Sequence, residues 1–178
     1  GPSRDGAPLA EAIRGALDMA DASPVDVAAI CAHGTGTVYN DQMEMLAFRR
    51  AFGEQSRPTF SVKGGMGHVL GAAGLAEGLL ALEFLRRGRV PPTVGLRRAA
   101  DDAAGWVSAE PRPVDPAGIA ISTNSGFGGT NAAVALALAP RGLSAPKAIR
   151  LLQRLNTIRV TAADAVATGF GAGTQTGG

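Results

Sequence analysis

Three short glycine-rich loops, each following an apolar run, constrain this chain more than its length or charge does. HGTGT begins at His33, KGGMG at Lys63 and GFGGT at Gly126. Glycine enters left-handed backbone without steric cost and lets a backbone or substrate approach a neighbouring side chain closely. The 25 glycines among 178 residues cluster instead of spreading, which points to a globular protein with tight loops and not to a flexible linker.

The segments between the loops have readable periods. Leu9, Ala12, Ile13, Ala16, Leu17 and Ala20 recur at helical spacing and predict a helix over Pro8 to Asp21. Val25 to Ala32 reads as a buried strand. Asp41 is placed as the cap of a helix from Gln42 to Phe52, with Glu44 in capping-box position. Thr59 to Val62 reads as a short strand, and the second loop leads into a helix from Gly71 to Arg87. Trp106 to Glu110 is expected to be another short strand. Gly118 to Thr123 and Ala132 to Ala139 read as two more, antiparallel because only a short loop joins them. Strands alternating with helices make an α/β fold, a mixed β-sheet covered by helices.

Composition excludes several classes. The net charge is +2 and aromatics are only 4%, so neither a basic run nor a stacking platform supports nucleic-acid binding. Cys31 stands alone, and no Cys/His cluster has zinc spacing, so no disulfide and no metal site are expected. No run of about 18 apolar residues predicts a membrane span. The opening GPSRDGAPLA has no basic region followed by an apolar one, so it does not read as a leader. A reducing cytoplasm is the expected compartment.

The candidate chemistry lies in the loops. His33 and His68 both sit among glycines, each after a predicted strand. Two imidazoles converging at strand ends can donate to one oxygen and stabilise an enolate or oxyanion. A satisfied structural histidine or a metal ligand is the competing reading. Lys63 and Glu77 lie fourteen residues apart and can form a buried pair that orients a histidine, or be a surface lysine and a helix-face glutamate. Phe127, flanked by glycines, can gate a pocket or simply fill the core.

Taken in order, AHGTGTVYNDQME, SVKGGMGHVLGAAGLAEG and GFGGTNA resemble the second half of the β-ketoacyl-[acyl-carrier-protein] synthases, condensing enzymes with the thiolase fold. Three motifs in the right order and spacing are far more specific than one. The resemblance implies the C-terminal lobe of a thiolase-like fold over residues 1–140. It implies catalytic roles for His33 and His68, with Lys63 as a third catalytic residue and Glu77 and Asp41 in support. It implies that Thr35 and Thr37 bind the pantetheine arm, that Phe127 gates the acyl pocket, and that Gly128 is substrate-binding with them. The implied reaction is decarboxylative condensation of an acyl thioester with malonyl carrier protein in fatty acid or polyketide synthesis. No cofactor is implied beyond the phosphopantetheine of an acyl carrier protein. The complete enzyme is expected to be a dimer. A non-catalytic partner subunit of the chain-length-factor type is the alternative.

Two departures matter. NSGFGGTN is one residue shorter than the NSFGFGGTN common in the family. No TACSS-like turn with the family's nucleophilic cysteine is present, and Cys31, inside a predicted strand, reads as core. The chain is therefore expected to be about half an enzyme, inactive alone, whose partner is a cysteine-bearing N-terminal half. Arg86, Arg87, Arg89, Arg97 and Arg98 form a basic stretch that either meets an acidic carrier protein or is a solvated helix end. Residues 141–178 read as a linker or tail, in which VTAADAVATGFGAG resembles the opening of a second synthase unit.

Overall fold

The computed structural model describes residues 4–138, apart from the side chain of Phe127. The expectations for residues 141–178 lie outside the described residues. α1 (Ala7–Met19) buries Leu9, Ala10, Ile13 and Leu17, a single apolar stripe. Pro8 sits in its first turn, where a missing N–H costs nothing. Pro24 opens one 3-10 turn that takes up Val25 and Asp26, so β1 (Val27–Cys31) starts two residues later than the apolar run predicts.

α2 (Val38–Phe52) starts four residues earlier than expected. Thr37, in extended conformation, holds the cap position, and Asp41 lies inside the first turn. The cap and capping box expected at Asp41 and Glu44 are therefore not formed. Burial instead raises the Asp41 carboxyl above its ordinary value.

β2 (Thr59–Phe60) precedes one helical turn, α3 (Lys63–Met66), and the longer α4 (Ala73–Arg86). β3 (Arg89–Val90) and β4 (Arg112–Pro113) pair as a separate antiparallel ribbon. The strand expected at Trp106 to Glu110 does not form. Val107 makes only an isolated parallel bridge to Thr59. The Trp106 ring turns into the core against Phe48 and Phe52, with centroids 6.0 and 6.3 Å away.

β5 (Ile119–Ser125) and β6 (Asn131–Ala137) make the expected antiparallel hairpin. The sheet order is β2-β1-β5-β6. β1 runs parallel to both β2 and β5, so the sheet is mixed.

Alternate strand residues face opposite sides and sort the core into two layers. Ile30 and Ile121 pack with Leu9, Ile13 and Phe48 under α1 and α2. Ala29, Cys31 and Ala120 pack with Ala81 and Leu85 under α4. A register shift between Val27 and Ala29 in the pairing with β5 puts Val27 on the Ile30 side. Among the described residues no helix is long and apolar enough to cross a membrane.

Candidate active site

The C-terminal ends of β1, β2 and β5 open on one edge of the sheet, where open α/β sheets place their ligands. His33 lies two residues beyond β1, Lys63 three residues beyond β2, and Asn124 near the end of β5. α4 crosses behind them and buries Glu77, which is 1% exposed.

Lys63 ties the edge together. Its ammonium group donates to the Nδ1 of His33 at 3.2 Å, to the His33 carbonyl, and to Oε1 of Glu77. Those three acceptors use all three N–H groups. Asn124 donates to the other Glu77 oxygen at 3.0 Å. The sequence reading that paired Lys63 with Glu77 to orient a histidine describes this cluster.

His68 completes a pair of rings. Its imidazole stands edge to face with that of His33, with centroids 5.4 Å apart. The backbone N–H of Leu70 donates to His68 Nδ1 at 3.2 Å. Leu70 itself stands at φ +49°, a left-handed conformation that only a fixed surrounding sustains in a leucine. Each ring thus has its Nδ1 occupied as an acceptor, which leaves the proton on Nε2. The two imidazoles then present Nε2–H donors at one edge of the sheet, an arrangement suited to a developing oxyanion.

The first loop is held by a residue that sequence reasoning assigned to capping. Glu44, 2% exposed, accepts the N–H of His33 and of Gly34, both at 2.8 Å, and the Asn40 amide at 3.1 Å. The Thr123 hydroxyl lies 3.4 Å from it. A Glu between two buried methionines, Met43 and Met45, was the available signal. Gly34 itself admits no side chain. At φ +48° its Cβ would fall 2.5 Å from Ser61 Oγ.

A cavity of about 570 Å³ opens beside this edge, between the start of α2 and the segment 93–107. Thr35, Asp41, Lys63 and His68 line it. Thr37 is outside the lining, its hydroxyl 3.0 Å from that of Thr35. Gly128, at φ +85°, shapes the exposed third loop. The Phe127 side chain lies outside the described residues. Cys31 is fully buried beneath the site, and burial with the nearby Glu77 charge pushes its thiol well up, so it is no nucleophile. Among the described residues no group of three or more His, Cys, Asp or Glu can hold a metal ion.

Burial, and then the Lys63 charge, push the His33 imidazole down to about 4. It stays neutral across the physiological range. Burial pushes the Glu44 carboxyl up to about 7 against the pull of its backbone donors. These shifts act oppositely on stability. Below 6.5 the unfolded chain protonates His33 and the folded chain does not, so stability is lost as pH falls from 6.5 towards 4. Above 4.5 the unfolded chain ionises Glu44 and the folded chain does not, so stability is lost as pH rises from 4.5 towards 7. Between 4.5 and 6.5 the two slopes cancel. In Glu44→Gln the histidine slope is expected to emerge, at up to about 1.4 kcal/mol per pH unit. Urea titrations across that window measure it, and a variant as flat as the parent would count against both assignments.

The family model for the C-terminal domain of β-ketoacyl synthases matches residues 1–97. The chain belongs to the β-ketoacyl synthase family. The synthase chain is 38% identical over 139 residues to the tetracenomycin polyketide synthase ketoacyl synthase alpha subunit of Streptomyces glaucescens, covering 75% of this chain and 32% of that protein. The ishigamide ketosynthase/chain length factor superposes with a TM-score of 0.72 at 33% identity, over 79% of this chain and 34% of that one. A type II polyketide ketosynthase bound to the hexaketide, in complex with its acyl-carrier protein, also gives 0.72, at 28% identity, over 78% of this chain and 35% of that one. These neighbours place the mixed sheet and its helices in the thiolase-like ketosynthase fold. The synthase chain spans about a third of the length of the relatives it matches.

Proposed function

We propose that this chain supplies the decarboxylation half of a condensing site in fatty acid or polyketide synthesis. The observation that carries the reading is the pair of imidazoles, each with Nδ1 occupied and facing the other at 5.4 Å. A malonyl thioester bound here loses CO2, and the electron pair of the broken C–C bond forms an enolate. Nε2–H of His33 and of His68 hydrogen-bond the enolate oxygen. Its carbon then attacks an acyl thioester carried on a cysteine of an N-terminal half, releasing the thiolate and leaving a β-ketoacyl thioester.

Lys63, held by Glu77, fixes the His33 ring and keeps it neutral. Thr35 and Thr37 meet the phosphopantetheine arm of an acyl carrier protein, Phe127 and Gly128 meet the acyl substrate, and no other cofactor is needed. The chain alone is inactive, because its one cysteine, Cys31, is buried away from substrate. The complete enzyme is a cytoplasmic dimer.

The test joins the full chain to a cysteine-bearing first half and measures CO2 release and β-ketoacyl product from acyl and malonyl carrier protein. Condensation by the joined protein and none by the chain alone is the expected result. Acylation of the cysteine with no decarboxylation of malonyl carrier protein would favour the alternative, a non-catalytic partner subunit.

A further inference from the structure

Most cations of the described chain are already engaged. Arg86 and Arg87 both pair with Glu83, at 2.8 and 2.6 Å, and hold its carboxyl down to about 2. These two satisfy the bland reading of the basic stretch, a solvated helix end. Arg49 and Arg50 pair with Glu54 and Asp5, and Arg112 donates to the Gly105 carbonyl. Arg89, Arg97 and Arg98 are left without a hydrogen bond or ion pair. Of these three, only Arg98 lines the cavity that Lys63 and His68 also line.

The same cavity holds two orphaned polar atoms. Oδ1 of Asp41 and Oγ1 of Thr93 are buried and have no hydrogen-bond partner. A buried polar group left unpaired costs about 1–3 kcal/mol, so each is better satisfied by an occupant. Met45 and Phe48 give the wall apolar surface. The volume falls within the usual range of small-molecule sites, about 300–1,000 Å³. An occupant with hydrogen-bond donors for these two oxygens, some apolar surface and an anionic end fits this lining. Asp41, Glu44 and Asp102 are the acidic side chains of the same lining, and Lys63, its other cation, is committed to His33 and Glu77, which leaves Arg98 as the anion's place.

We propose that Arg98 binds the phosphate at the far end of the pantetheine arm, while Asp41 and Thr93 meet the arm's amide groups inside the cavity. This deepens the condensing-site reading and rests on its thioester arm. Arginine suits the task because its planar fork matches phosphate oxygens two at a time. Arg98 is exposed, so the contact is a screened one that weakens with salt.

The test titrates the full chain with 4′-phosphopantetheine and with pantetheine, following the histidine ring signals by NMR. The phosphorylated arm is expected to bind five- to tenfold more tightly at low ionic strength. Arg98→Ala is expected to erase that preference and leave pantetheine binding intact. Arg98→Lys keeps part of the preference, and Arg97→Ala keeps all of it. Coenzyme A and a phosphopantetheinylated carrier protein are the two sources of this anion. Arg98-dependent binding of one and not the other supports the proposal and identifies the source. If both arms bind equally, or if the preference survives in Arg98→Ala, the Arg98 assignment is overturned and the arm reading stands. Binding of neither arm at millimolar concentration overturns both.

Discussion

Replacing His33 or His68 by alanine in the completed synthase is expected to slow condensation by about 10²–10³-fold, the usual effect of removing one oxyanion donor. Each ring offers one Nε2–H because Lys63 occupies Nδ1 of the first and the Leu70 N–H occupies Nδ1 of the second. Acyl transfer to the cysteine generates no enolate at these rings, so it should survive both substitutions. Decarboxylation of malonyl carrier protein should fall in parallel with condensation. The double variant is expected to lose much less than the product of the single effects, because the two donors act on one oxygen. Rates of cysteine acylation, CO2 release and product formation, measured separately, distinguish this from general damage to the site. A loss of less than tenfold in either single variant refutes the assignment.

Lys63→Ala is expected to destabilise the 178-residue chain by about 3–5 kcal/mol, the cost of breaking a buried ion pair from one side. Glu77, 1% exposed, would keep only the Asn124 amide, and the His33 carbonyl and Nδ1 would lose their donor. Lys63→Ala with Glu77→Gln should recover a large part of the loss, since no carboxylate charge then remains buried. Urea denaturation of the parent, both single variants and the double variant closes the cycle. The double variant is a second check on His33. Without the Lys63 charge, the imidazole should titrate above its parent value of about 4 and below the ordinary 6.5, since burial remains. An additive cycle, or an unmoved His33 titration, would show that Lys63 acts on neither partner.

The parts of this fold with a clear period were legible from residues alone. The stripe of α1 and the antiparallel hairpin of β5 and β6 are where spacing places them. β3 and β4 are two residues each, too short to show any alternation, and Pro113 reads against a strand until its edge position is known. Trp106 misled for a related reason. An aromatic in an apolar stretch has the composition of a strand, yet this ring packs with Phe48 and Phe52 from an irregular segment.

In the site, the loops announced His33, His68 and Lys63 because glycine neighbours make a polar residue conspicuous. Glu44 and Asn124 were not conspicuous. Glu44 has helix spacing that fits a cap, and its function depends on N–H groups ten and eleven residues earlier in the chain. Asn124 closes a strand and meets a helix 47 residues away. Contacts that distant are made by the packing of α4 on the sheet, which no local pattern encodes.

The position of Lys63 has a consequence for the durability of the site. A primary amine beside a thioester is a hazard, since its lone pair attacks the carbonyl and forms an amide that nothing in a condensing site can cleave. Here the ammonium group spends all three of its N–H bonds on His33 and Glu77 and is 6% exposed. With no free direction of approach, the lysine would escape acylation by the thioesters of the proposed reaction. Under that proposal, the cluster that orients the histidine would also shield the site from slow self-inactivation.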